Sequence, residues 1–343
     1  MTQLASPDSV FGDFDRMDLM YKGHLYRLEQ RGDEFWVDMD DMGTDSLGFG
    51  IVKLQDLPKS LPRIQKRIVL TTGSHHMQIY WYASDFGRKL GQLPFTFLKD
   101  DQIWIPRVSA FLIPDAPADT MPMETGRWNS TCIRCHTTQP RTRIGIKNTM
   151  DSQVAEFGIS CQACHGPAQQ HVRANRAPYR RYEHHLTAKQ DDTIVHSGLI
   201  SPRRSAQVCG HCHGIHADLS NEDVDRWLLH GYRYRPGDDL DKTRLTMKKA
   251  QWASRRGQVI IKEDSDYIES YFWLDGMVQV SGRKYNGLIE SPCFTHGDEQ
   301  RGIMTCLSCH QMHKPESHID PRSLSEWAND QLALGMDQDQ ACL

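Results

Sequence analysis

Four five-residue clusters carry the chemistry of this chain. They read Cys132-Ile-Arg-Cys135-His136, Cys161-Gln-Ala-Cys164-His165, Cys209-Gly-His-Cys212-His213 and Cys306-Leu-Ser-Cys309-His310. Eight of the 10 cysteines lie in them, and each pair is followed at once by histidine. Chance yields on the order of 0.01 such pentads in a chain of this composition. In a short helix, positions i and i+3 share a face and i+4 lies beside them. Two thiols so placed can form thioethers with the vinyl groups on one edge of a porphyrin, while the histidine supplies its imidazole to the iron. Zinc ribbons separate their pairs by about 15–20 residues, whereas 25, 44 and 93 residues intervene here. Zinc also gives no reason for a histidine after every pair, and a thioredoxin-like dithiol normally occurs once, in a βαβ setting. The pentads therefore predict four covalently attached haem c groups. Cys132, Cys135, Cys161, Cys164, Cys209, Cys212, Cys306 and Cys309 are the thioether residues. His136, His165, His213 and His310 are the proximal iron ligands.

Thirteen further histidines are available for the opposite iron faces. His171 follows His165 by six residues and cannot loop around the ring edge to the far face of the same porphyrin. His313 lies one turn after His310, on the same side of the expected helix. Both suit a neighbouring haem. His75, His211, His216 and His296 are second choices, against ordinary surface or hydrogen-bonding roles. His184, His185, His196, His230 and His318 read as solvated, and His24 sits in a hairpin with no haem signal near it. Arginines crowd the pentads: Arg134, Arg141, Arg143, Arg173, Arg176, Arg180, Arg181, Arg203 and Arg204. Four haems bring eight propionates, taking the formal charge from −4 to about −12 when all ionise, and guanidinium forks suit carboxylates. A solvated basic face is the alternative for at least half of them. Cys293 has no partner by spacing; burial as a free thiol is its commonest fate, with a disulfide to Cys342 as an alternative.

The elements that must position these groups fall into two regions, an α+β arrangement. Residues 1–125 hold no pentad and look β-rich. Leu25–Leu28, a turn around Gln30-Arg31-Gly32-Asp33, and Phe35–Met39 form an expected hairpin. Strand-like runs follow at Ile68–Leu70, Met77–Tyr82, Phe95–Leu98, Gln102–Ile105 and Ala110–Ile113. The Pro-rich stretch Pro114–Pro122 separates them from residues 126–343, the expected loop-rich, short-helix multihaem region. There, Ser220–Asp223 reads as a helix start before Val224–His230, and Arg244–Arg255 reads as a further helix. Tyr271–Leu274, Asp275-Gly276 and Met277–Val280 read as a second hairpin. Apolar periodicity is sparse in this half, as expected if porphyrins supply much of the core.

Composition excludes several classes. Lys plus Arg is 40 against 44 for Asp plus Glu, so no basic field favours nucleic acid. No run reaches the roughly 18 apolar residues of a membrane span. Thioether attachment implies maturation outside the cytoplasmic membrane, hence a periplasmic or other extracytoplasmic location. Met1-Thr-Gln-Leu-Ala-Ser-Pro-Asp lacks the features of an export signal, and Ala341-Cys342-Leu343 has the look of a pentad cut short. An internal fragment of a longer multihaem protein is therefore expected.

Trp128-Asn129-Ser-Thr-Cys132, Glu156-Phe-Gly-Ile-Ser-Cys161-Gln-Ala-Cys164-His165-Gly166-Pro167 ending in His171-Val172, and Arg204-Ser-Ala-Gln-Val-Cys209-Gly resemble one family. So do Gly73-Ser-His75-His76-Met-Gln and Cys306-Leu-Ser-Cys309-His310-Gln-Met-His313. It is the group of periplasmic multihaem cytochromes c related to the tetrahaem cytochromes that take electrons from hydroxylamine oxidation. The resemblance spans nearly the whole chain and is weaker in the β-rich part. It implies distal-ligand roles for His171, His313 and His76. It also implies further pentads before and after this chain, which the chain lacks.

Three functions follow as expectations. The first is electron transfer through closely spaced, mostly bis-histidine haems, exchanging electrons with redox proteins or quinol-linked donors. The second is an enzyme reducing or oxidising a small nitrogen or sulfur compound at an open haem, with Arg141 or Arg173 holding an anion. The third is a partner-binding module of a larger multihaem assembly, docking through residues 1–125.

Overall fold

The computed structural model describes residues 1–43, 49–110, 117–187, 189–298 and 302–337. The chain divides into two compact units. Met1–Ser160 together with Asn221–Tyr232 forms the first, and Cys161–Ser220 with Arg233–Leu343 forms the second. The pentad at 132–136 thus belongs to the same unit as the β-rich region, and the other three pentads lie in the second.

The first unit is built on an antiparallel eight-stranded sheet. Its strands are drawn from β1 (Thr2–Leu4), β2 (Met17–Tyr21), β3 (His24–Arg31), β4 (Glu34–Asp40), β6 (Arg63–Thr72), β7 (Met77–Ala83), β8 (Leu90–Leu98) and β9 (Ile103–Pro106). They run in the order β2-β3-β4-β6-β7-β8-β9, with β1 pairing on β6. A separate ribbon joins β5 (Phe49–Lys53) to β10 (Thr120–Glu124). The expected hairpin is present: Leu28 pairs with Val37 and Gln30 with Phe35, turning at Gly32, whose φ of 62° favours glycine. The runs at 68–70, 77–82, 95–98 and 102–105 all fall on strands, β9 starting at Ile103. Ala110 instead ends a short helix, Arg107–Ala110, and the rest of that expected strand, 111–113, lies outside the described residues.

Side-chain alternation along the strands gives the sheet two apolar faces. On β7, Tyr80 and Tyr82 enter a cluster with Phe14, Phe35, Phe95 and Phe97. Trp81, between them, enters the opposite cluster with Leu70, Leu90, Trp128, Ile133 and Trp227. Ile133 is the second residue of the first pentad, so that pentad is pinned to the back of the sheet.

The second unit is made of short helices: Cys161–His165, Gln169–Asn175, Pro178–Thr187, Pro202–His213, Lys249–Trp252, Arg255–Glu263, Tyr267–Tyr271, Tyr285–Glu290, Pro292–Thr295 and Leu324–Asp330. Its apolar clusters are small, one around Ala206, Tyr234, Leu240 and Tyr285, the other around Ile215, Met247, Tyr267 and Phe272. Two expectations are corrected here. Arg244–Thr246 is a strand, paired with His216–Asp218, and helix resumes only at 249–252 and 255–263. Arg244 and Thr246 are each 6% exposed, so distant pairing overrides the local helical pattern. The hairpin at 271–280 shrinks to a single bridge between Phe272 and Val278, because Tyr271 ends a helix. The helix at Asn221–His230 matches the expected one.

Candidate haem-binding sites

The first pentad starts on the last residue of a π-helical turn, Trp128–Cys132, and continues through the helix Ile133–His136. Its footing is a polar network behind the sheet. Buried Asn129 accepts from the Leu90 amide at 3.0 Å and donates to the Arg88 carbonyl and Ser152 Oγ. Trp128 Nε1 donates to Thr2 Oγ1, which meets Thr72 Oγ1 across the β1–β6 pair. A segment far along the chain completes the footing. Trp227 Nε1 donates to the Ser130 carbonyl at 3.2 Å, and Tyr232 Oη to that of Arg134. The Arg134 guanidinium lies 4.4 Å from the Trp227 ring, which stacks on Tyr232 at 4.5 Å. No periodicity or spacing marked Trp227 and Tyr232 as part of this site.

The second pentad fills the helix Cys161–His165, and the third ends the helix Pro202–His213. Gly210 admits the Tyr285 ring there: a Cβ at this position would lie 2.6 Å from the ring. The fourth pentad departs from the expected helix. Cys306–Ser308 is one 3-10 turn with a capping box on Thr305, and His310 instead bridges to Leu332. His313 is therefore not one helical turn above His310. Its ring lies 6.0 Å from that of His165, with planes 27° apart.

Three of the four pentad histidines, His165, His213 and His310, share one device. Nδ1 of His165 meets the Val195 carbonyl at 2.6 Å, that of His213 the Gly282 carbonyl at 3.2 Å, and that of His310 the Asp330 carbonyl at 3.2 Å. A carbonyl only accepts, so each Nδ1 carries the proton and each Nε2 keeps its lone pair for a metal. The chemistry of this donor set fits haem iron. Beside the third pentad, Tyr234 is 6% exposed, stacks on His211 at 4.8 Å, and buries its hydroxyl without a hydrogen-bond partner. An orphaned hydroxyl costs about 1–3 kcal/mol, and a polar group bound beside the third pentad would relieve it. The thiols of Cys209 and Cys306 hydrogen-bond to each other, and this contact together with burial pushes Cys209 well above the usual thiol range. The first cysteines of the third and fourth pentads thus lie side by side.

The remaining histidines divide by environment. His171 Nδ1 meets Asp191 Oδ2 at 3.0 Å. His76 is exposed, 3.9 Å from Asp100, beside His75, and His296 is exposed next to Thr295. His216 engages both nitrogens, Nε2 with the Gly210 carbonyl at 2.6 Å and Nδ1 with Thr246 Oγ1 at 3.3 Å. Burial, then the Arg244 charge, lowers its pKa to about 3. His184 is not solvated: its side chain is 19% exposed and its Nε2 lies 4.0 Å from Asp191. Burial alone raises the Asp191 pKa, but hydrogen bonds from Thr193, Asn175 and His171 outweigh it and hold the carboxyl well below the usual range. Several pentad arginines already pair with carboxylates of the chain: Arg143 with Asp151, Arg180 with Asp192, Arg203 with Asp241 and Arg204 with Asp239. Cys293 is exposed rather than buried, and Cys342 lies outside the described residues. Among the described residues, no helix is long and apolar enough to cross a membrane.

Residues 115–166 match the profile of the family described as cytochrome c554 and c-prime. The match takes in the first two pentads and supports a c-type cytochrome with covalently bound haem. The solved structure of outer cell wall cytochrome OcwA is similar, with 17% identity and a TM-score of 0.42 over 87% of this chain. The chain spans 58% of the length of that cytochrome. No curated protein matches in sequence.

Proposed function

We propose that this chain is a multihaem electron carrier, holding one haem c at each of its four pentads and passing electrons between them outside the cytoplasmic membrane. The observation that carries this reading is the shared setting of His165, His213 and His310, each oriented by a backbone carbonyl so that Nε2 is free to bind metal. His313 supports closed coordination. Its ring lies 6.0 Å from that of His165, so His165 and His313 would together hold one iron if haem were bound at the second pentad. His171 and His76 are the proposed distal ligands of further haems. With both faces occupied, an iron has no place for substrate, and its bound haem supplies one-electron chemistry only. The chain's own residues would attach the ring edges and orient the imidazoles. Redox proteins or quinol-linked donors are the proposed partners.

Low-temperature electron paramagnetic resonance on the oxidised, haem-loaded chain tests this. The expected spectrum contains only low-spin signals, unchanged by nitrite or cyanide. A high-spin haem that shifts with added anion would overturn the carrier reading in favour of a reductase or oxidase.

A further inference from the structure

We infer that Asp191 is a positioning residue that holds down the reduction potential of the haem bound by His171, and so sets it apart from the haem bound by His165. The inference deepens the proposed function and rests on its reading of His171 as an iron ligand. One short loop, Asp191 to Val195, serves both imidazoles. At its far end the Val195 carbonyl takes the Nδ1–H of His165 at 2.6 Å. At its near end Asp191 Oδ2 takes the Nδ1–H of His171 at 3.0 Å. Asn175 donates to the same oxygen at 2.8 Å and to the His171 carbonyl at 3.0 Å, fixing the ring from its own helix. The other oxygen, Oδ1, is occupied by the Thr193 amide at 2.9 Å and hydroxyl at 2.5 Å. Arg180 at 3.5 Å and His184 at 4.0 Å are the neighbouring cationic or titratable groups.

The two acceptors differ in charge. A carboxylate on Nδ1–H draws the proton toward itself and gives the imidazole more anionic character, which makes Nε2 a stronger donor and favours ferric over ferrous iron. A neutral carbonyl does this less. The same loop therefore imposes unequal potentials on two haems without changing either iron ligand.

The test uses the full haem-loaded chain, titrated electrochemically and followed by visible absorption and paramagnetic resonance. Asp191→Asn is expected to raise the potential of one haem and alter one low-spin signal, the others holding still. Thr193→Val frees the carboxylate from a competing donor, so its charge falls more on His171 and the same potential is expected to move down. Opposite signs at one haem distinguish electrostatic tuning from loosening of the loop. Unmoved potentials in both variants, or shifts of the same sign, would overturn the inference. If Asp191→Asn does not fold, Thr193→Val decides alone: a downward shift of one haem supports the role, and no shift or an upward one overturns it. His171→Ala separates the underlying reading: one haem turning high-spin supports His171 as a ligand, whereas all haems remaining low-spin removes it.

Discussion

At the scale of single residues, histidines of identical chemistry are sorted by what their second nitrogen meets. Spacing alone singles out His136, His165, His213 and His310 as the proposed proximal ligands. The carbonyls that orient three of them lie 20 to 69 residues away in sequence and left no local signal. His216 shows the converse. It sits three residues past a pentad, yet both its nitrogens serve the chain's own polar groups. Its depressed pKa makes a prediction with a definite sign. The unfolded chain takes up a proton near pH 6.5, the folded chain only near pH 3, so this group costs stability as pH falls between those limits. The limiting slope is about 1.4 kcal/mol per pH unit. Urea midpoints measured from pH 7 to 4 are expected to fall less steeply in His216→Gln than in the parent. Equal slopes would show that His216 is not held neutral by the fold.

Elements were legible where their reason is local. The alternation of β7 and the glycine turn between β3 and β4 are written in adjacent residues, and both expectations match. Arg244–Thr246 failed because its partner strand, His216–Asp218, lies about a helix and two loops upstream, and a buried pairing outweighs the weak helical preference of three residues. The helix Pro202–His213 makes a sharper case. Gly210 interrupts it with the residue that is costliest to a helix, yet the Tyr285 ring occupies the space of the missing Cβ. Alanine gains about 1 kcal/mol in helix propensity and loses about 1–3 kcal/mol to overpacking against the base of a ring that is 4% exposed. Gly210→Ala is therefore expected to lower the thermal midpoint. An unchanged or higher midpoint would mean that Tyr285 yields freely.

At the scale of the whole molecule, what the sequence could not disclose is that its order and its spatial grouping differ. A boundary at 125 follows the change in composition, but contacts group the first pentad with the sheet and bring Asn221–Tyr232 back to the first unit. Trp227, 2% exposed, is the anchor of that return. Truncating such a residue typically costs about 3–5 kcal/mol. In the full chain, Trp227→Ala is expected to melt the first unit earlier and to open residues 126–136 to protease, while the transition of the second unit stays in place. Coincident shifts in both would contradict this division. The returning segment also orders events during folding. Trp227 follows its contact Ser130 by 97 residues, and closing a loop of that length costs about 4 kcal/mol of chain entropy before any contact rewards it. The helical turn of the first pentad needs only neighbouring residues and can form ahead of that closure. Distance along the chain thus sets a sequence of assembly, in which the local turn comes first and its aromatic footing last.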